Sequence, residues 1–331
     1  MSIKICMIGC GGFARLCHGP AQRKLRDTGA DIELSACCDA DLESARSYSA
    51  SFGYARYYSD LRGMLSIEKP DAVVAAVPPA FTPRVAGLVL KLGFPLLLEK
   101  PPGLSPVELE QLISAAREGG ARAQVGFNRR YMPVVRRAMA ILDGALGAER
   151  VGRIDYEMIR YDRWDADFST TAIHAIDAAL YLARSPFRAA EIRFQPQRSG
   201  ERVASNVVID AECDAGTRVQ IRILPVSATN SESAWIHGVG QSVGLRIPMS
   251  PHSHGDGCVE HWRADALLEA FSDREYGPVD RLGVLAETQA FLEAVRSGAR
   301  FSPGPGDCVQ QVALMEAVRL GRTGPIVFGE R

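Results

Sequence analysis

No run in the 331 residues stays apolar for long enough to cross a bilayer, which takes about 20 residues. An excess of charge is missing too: 38 Lys and Arg meet 39 Asp and Glu, for a formal net charge of −1. That excludes the strongly basic face of a nucleic-acid binder and a polybasic membrane anchor. The cysteines Cys6, Cys10, Cys17, Cys37, Cys38, Cys213, Cys258 and Cys308 form no C-x-x-C pair. They read as reduced thiols of a cytoplasmic protein, not as a disulfide or zinc framework. Met1-Ser2-Ile3-Lys4 leads straight into a strand, which leaves no room for a signal peptide. Internal repeats and low-complexity segments are also lacking. What remains is a globular chain long enough for about two domains of ~150 residues.

The stretch Ile3 to Ile8 is apolar and β-branched and reads as a buried parallel strand. It runs into Gly9-x-Gly11-x-x-Ala14, where Gly9 permits a tight turn and Gly11 a close backbone approach to a pyrophosphate. Gly12 and Phe13 complete the turn, and Ala14 is small enough to let the next helix pack on the strand. That helix runs roughly through Leu25 and offers its N-terminal N–H groups to phosphates. A second strand, Ile32 to Cys38, ends at Asp39. An acid there accepts from both adenosine ribose hydroxyls and repels a 2′-phosphate, which favours NAD over NADP. The competing reading makes Asp39 the N-cap of the segment Leu42 to Phe52.

Strands at Asp71 to Val77, Pro95 to Glu99 and Ala121 to Phe127 alternate with helical patterns. Pro78-Pro79 follows the first of them, and Ser105-Pro106-Val107-Glu108 reads as a capping box opening a helix. The expectation is an α/β fold with an N-terminal doubly wound parallel sheet over residues 1–127. From residue 128 to 331 the pattern changes. Pro133 to Leu146 and Thr171 to Ala183 read as helices, and Val207 to Ile223 as a hairpin turning at Asp214-Ala215-Gly216. Further strands fall near 234–248 and 258–264, and helices at Val284 to Arg296 and Asp307 to Leu320. This half is α+β, with an open, mostly antiparallel sheet of about six strands; its C-terminal helix has the option of packing back on the first domain. Alternating apolar residues leave a second sheet face to cover, so a homo-oligomer, dimer or tetramer, is expected.

Lys100 stands at the carboxyl end of a strand, where open α/β sheets bind ligands, and suits proton exchange with a substrate hydroxyl. Thr170, His174, Asp177 and Tyr181 share one helical stripe beside the apolar stripe of Ile173, Ile176 and Leu180. Arg163 and Trp164 are candidates for a pocket wall, Trp164 as its floor. His252-Ser253-His254, Asp256 and His261 invite a metal reading, but their loose spacing suits a pocket-edge loop better, and no metal is expected.

Glu99-Lys100-Pro101, Gly126-Phe127-Asn128-Arg129-Arg130-Tyr131 and His174-x-x-Asp177 follow the glycine turn in order. With it they resemble the glucose–fructose oxidoreductase / inositol dehydrogenase (Gfo/Idh/MocA) family over nearly the whole chain. The resemblance implies a Rossmann domain and NAD(P)-dependent oxidation or reduction of a sugar, cyclitol or similar polyol. It implies catalytic roles for Lys100 and His174, with His174 as general base, and a cis Lys100–Pro101 bond. It places Gly9, Gly11, Gly12, Phe13, Ala14, Asp39, Pro78, Glu99, Lys100 and Asn128 at the cofactor. Lys100, Asn128, Arg163, Trp164, Thr170 and His174 fall at a small-molecule substrate. One departure stands out: Thr170 occupies the position of the family's acid one turn before the histidine, where Asp167 or Asp177 would have to compensate. Two alternatives follow, a dinucleotide-binding sensor without turnover and a reductase of a non-sugar carbonyl or imine.

Overall fold

The structure, a computed structural model, describes residues 2–144, 151–165, 167–249 and 255–329. The chain opens with β1 (Ile3–Ile8), α1 (Gly19–Asp27), β2 (Ile32–Cys38), α2 (Leu42–Phe52), β3 (Arg56–Tyr58) and α3 (Leu61–Glu68). It continues with β4 (Ala72–Ala75), α4 (Thr82–Lys91), β5 (Leu96–Glu99), α5 (Pro106–Glu118) and β6 (Ala123–Gly126). These six strands form one parallel sheet in the order β3-β2-β1-β4-β5-β6. Helices cover both faces, so its central strands are buried throughout and tolerate near-continuous apolar sequence.

Local chemistry sets the helix ends. Asp41, not Asp39, caps α2, accepting from the amides of Glu43 and Ser44 at 3.2 Å each. Ser105 caps α5 by accepting from Glu108 N at 3.2 Å, but the Glu108 carboxylate reaches back to Leu104 N at 2.6 Å. The reciprocal bond thus falls one residue earlier than in a simple capping box.

After β6 come α6 (Pro133–Gly144), β7 (Val151–Tyr161), α7 (Ser169–Ala183), β8 (Phe187–Ser199), β9 (Arg202–Cys213) and β10 (Arg218–Ser227). Then follow β11 (Ser231–Gly238), β12 (Gln241–Arg246), β13 (Cys258–Arg263), β14 (Ala266–Ser272) and α8 (Pro278–Arg281). The chain ends with α9 (Val284–Ser297), α10 (Val309–Arg319) and β15 (Gly324–Val327). Among the described residues the second sheet has nine strands, not six, in the order β14-β13-β12-β11-β7-β10-β9-β8-β15. Only the central β7–β10 pair among them is parallel. The expected hairpin is β9–β10, antiparallel in register.

Two compact units result: Met1–Asn128 with Val284–Val312, and Arg129–Gly283 with Ala313–Arg331. The segment Val284–Val312 joins the first unit because α9 needs an apolar partner there. Phe291, Leu292 and Ala294 enter the same buried cluster as Ile5, Met7, Leu25 and Tyr48. In the second sheet one face carries the buried residues Ile154, Tyr156, Ile209, Ile221 and Ile236. The opposite face is not simply apolar: Arg153–Asp155, Arg222–Glu157 and Arg193–Asp210 form ion pairs across it, with Trp235 exposed among them. Among the described residues no helix is long and apolar enough to cross a membrane.

Candidate functional site

In the first unit the glycine turn has two kinds of glycine. Gly9 sits at φ +85°, and a Cβ there would lie 2.2 Å from the carbonyl oxygen of Ala76. Gly11 and Gly12 face open space, with no atom within 4 Å of an added Cβ. Gly9 is therefore required by the chain itself, whereas Gly11 and Gly12 keep the approach to the helix clear. Ala14 is buried beneath that helix, as its size allows. Asp39 folds onto the turn: Oδ2 accepts from Cys10 N at 2.8 Å, and Oδ1 accepts from Asp41 N at 3.0 Å. Each carboxylate oxygen retains a lone pair for a further donor. A bare-backbone cradle at a helix N-terminus, with an acid placed at the end of β2, fits a dinucleotide with free ribose hydroxyls.

This division of labour gives a paired prediction. Gly9→Ala is expected to destabilise the protein by about 2 kcal/mol or more, from the left-handed backbone and the clash together. Gly11→Ala should leave the melting temperature unchanged and weaken NADH binding about tenfold or more, equivalent to ~1.4 kcal/mol. Thermal melts and NADH fluorescence titrations of both variants check it.

Lys100 lies half-buried just past β5, and the Lys100–Pro101 peptide bond is cis, as the family resemblance implies. Pro78 follows β4 and is exposed, and Asn128 follows β6 and is buried. Phe13 is 42% exposed at the turn. The Glu99 carboxylate points inward to His18 Nε2, 2.8 Å away, so its visible partner is protein. The thiols nearby are unsuited to chemistry: burial pushes Cys6, Cys17 and Cys38 up to about 12. Among the described residues no two cysteines form a disulfide.

In the second unit α7 carries Thr170 and His174 half-buried on its exposed side. The lower part of the same stripe is occupied. Asp177 is buried and bidentate with Arg130, Oδ2 at 3.0 Å from Nε and Oδ1 at 2.5 Å from Nη2. The Arg130 guanidinium also lies 5.0 Å from the Tyr181 ring centroid. Asp167 accepts from Ser169 N at 2.9 Å and from its hydroxyl, which caps the start of α7. Neither acid is therefore placed to replace the one absent at Thr170.

A cavity of about 490 Å³ lies in this unit, walled by Arg163, Asp165, Asp167, Phe168, Ser169 and Arg319 among others. Arg163 pairs with Asp165 at 2.7 Å and lies 5.2 Å over the Phe168 ring. Trp164 is not its floor. It donates to Asp162 at 2.7 Å and stacks under Arg202, 4.7 Å from the ring centroid. Phe168 and Phe194 are the aromatics that line the cavity.

Two members of the expected pocket-edge loop are described, and both are engaged within the fold. His252, Ser253 and His254 lie outside the described residues. His261 is buried in β13 against Gln241 at 2.9 Å, and Asp256 pairs with Arg274 and Arg281. Among the described residues no three His, Cys, Asp or Glu side chains are placed to hold a metal ion.

Two features lacked a signal in the sequence. His18 is one. The other is a buried knot in the second unit: Arg129 holds both oxygens of Glu232 at 2.6 and 2.9 Å, and Arg160 and Tyr156 also donate to Glu232. Arg129 and Arg130, which look like site residues in the Gly126–Tyr131 motif, are thus spent on the fold.

A doubly wound parallel sheet with a glycine turn and a strand-end acid defines a dinucleotide-binding Rossmann unit. Residues 3–127 match the family described as "Oxidoreductase family, NAD-binding Rossmann fold". The D-apiose dehydrogenase of Paraburkholderia graminis is 28% identical over 249 residues, 69% of this chain and 64% of that protein. The chain thus spans just under two thirds of that relative. The inositol 2-dehydrogenase of Burkholderia cenocepacia is 24% identical, covering 100% of this chain and 98% of its own. The crystal structure of a dehydrogenase from Chromobacterium violaceum shares the fold, with a TM-score of 0.82 at 21% identity over 97% of each chain. Residues 3–127 thus match the NAD-binding domain of the Gfo/Idh/MocA oxidoreductases, and the whole chain shares the fold of that family's solved structures.

Proposed function

We propose that this protein is an NAD-dependent oxidoreductase that transfers a hydride between the nicotinamide and a hydroxyl, or the matching ketone, of a sugar, cyclitol or similar polyol. The observation that carries the reading is Asp39 set against the glycine turn through Cys10 N at 2.8 Å. The substrate class is supported by relatives named for apiose and inositol oxidation. When bound, the nicotinamide would supply the hydride acceptor or donor. Lys100 on the first unit would orient the substrate oxygen and share its proton. His174 on the second would serve as general base.

Titration of NAD and NADP against wild type tests the cofactor choice. Wild type should bind NAD more tightly. Asp39→Asn keeps an acceptor for Cys10 and the ribose but removes the charge that repels a 2′-phosphate, so it should narrow the preference by about tenfold or more. Arg46 of α2, the cation that would favour a 2′-phosphate if it reached one, lies 3.6 Å from Glu43 on the exposed side of the helix. Tighter binding of NADP by wild type overturns the assignment.

A second reading, a dinucleotide-binding sensor without turnover, is favoured by one finding. Thr170 replaces an acid, and Asp167 and Asp177 are both engaged elsewhere. NADH formation across a panel of sugars and cyclitols separates the two.

A further inference from the structure

His18 ends a π-helical turn, Ala14–His18, in which Gly19 N donates to Ala14 O five residues back. Such turns within helices recur at functional positions. The His18 side chain is 1% exposed, and that of its partner Glu99 11%. Glu99 ends β5 immediately before Lys100. Across the ladder Glu99 pairs with Gly126, where a Cβ would come within 3.2 Å of Glu99 Oε1. The glycine leaves that carboxylate its room. On the other side Phe13, from the glycine turn, meets the His18 ring edge-on with centroids 5.6 Å apart and planes at 75°. A carboxylate accepts hydrogen bonds, so Nε2 of His18 is the donor in this contact. Nδ1 is buried and has no hydrogen-bond partner among the described residues, so the ring is held through Nε2.

We propose that His18 is a positioning residue that links the glycine turn to the Glu-Lys-Pro strand end through Glu99 and thereby sets Lys100 for proton handling. The proposal rests on the oxidoreductase reading above. The contacts that hold His18 come from the two motifs it joins: Phe13 follows the glycines directly, and Glu99 precedes the lysine directly. A change in the glycine turn is therefore felt at the backbone that carries Lys100.

The test compares wild type, His18→Leu and His18→Gln, the last retaining a donor for Glu99. NADH affinity, kcat, KM and the NMR signal of the Lys100 side chain in lysine-labelled, NADH-saturated protein are measured, with Lys100→Met assigning the signal. His18→Leu should bind NADH within about threefold of wild type yet lose about 10–100-fold in kcat, the scale of a small misplacement, with KM less affected. Its Lys100 signal should shift, and His18→Gln should recover most of both. Retained kcat and an unmoved Lys100 signal in His18→Leu, with only a lower melting temperature, overturn the proposal. So does a loss of NADH affinity as large as the loss of kcat. Should His18→Leu not fold, Glu99→Asp withdraws the carboxylate by one methylene and should lower kcat by the same order; unchanged kcat there also overturns it. If wild type turns over no polyol, the activity reading fails by itself, and the Lys100 signal still decides the positioning.

Discussion

Glu232→Gln is expected to destabilise the second unit by about 3 kcal/mol at neutral pH, read as a lower urea midpoint in tryptophan emission. The probe is selective, because all three tryptophans, Trp164, Trp235 and Trp262, belong to that unit. Glu232 is fully buried and joins β11 to Arg129 and to Arg160 and Tyr156 of β7. Burial pushes its carboxyl up, but Arg129 and Arg160 more than offset this and hold it at about 2, against an ordinary 4.5. That difference corresponds to about 3 kcal/mol. Glutamine keeps an acceptor for Tyr156 but leaves two buried guanidiniums without a countercharge. The carboxyl is depressed in the folded state, so its contribution is complete above about 4.5 and fades as pH falls towards about 2. The gap between wild type and variant should therefore narrow between about pH 5 and pH 3. A gap independent of pH assigns the loss to shape and not to charge.

The first sheet was legible because strands buried on both faces leave continuous apolar runs between turn signals. Its edge was not: β3 is three residues, Arg56–Tyr58, mostly exposed. The same holds in the second sheet, where β8 is polar towards its end and β14 and β15 are largely exposed, so three strands went uncounted. Amphipathic α9 announces a face that needs cover, but nothing local says which core supplies it. At the site, the glycine turn, Asp39 and Lys100 each carry a signature contained within a few neighbouring residues. The His18–Glu99 and Arg129–Glu232 contacts join residues 81 and 103 positions apart, and no local pattern encodes such a pairing. Asp177 shows the cost of that blindness. It lies on the stripe of His174, as the helical period requires, yet burial and Arg130 remove it from any pocket role.

Lys100→Met and His174→Asn should each lower turnover by about 10²–10⁴-fold, the usual contribution of a positioned proton-transfer group. Methionine keeps the stem of the lysine but has neither charge nor donor. Asparagine keeps a polar group of similar reach and cannot act as a base. Both variants should still bind NADH, because Gly9, Gly11 and Asp39 are untouched and the Asp39–Cys10 contact lies just past β2, which β1 and β4 separate from β5. Thr170 has a hydroxyl that stays protonated near neutral pH, so it offers a hydrogen bond and no base. Thr170→Asp should then alter the pH dependence and the choice of substrate, and create no activity where wild type has none. The assay is NADH formation and the reverse reaction over sugars and cyclitols, with binding measured separately for each variant. Turnover that survives both Lys100→Met and His174→Asn removes the proton-transfer roles while leaving the fold assignment intact. A wild type that binds NAD and a polyol but converts neither in either direction hands the function to the sensor reading.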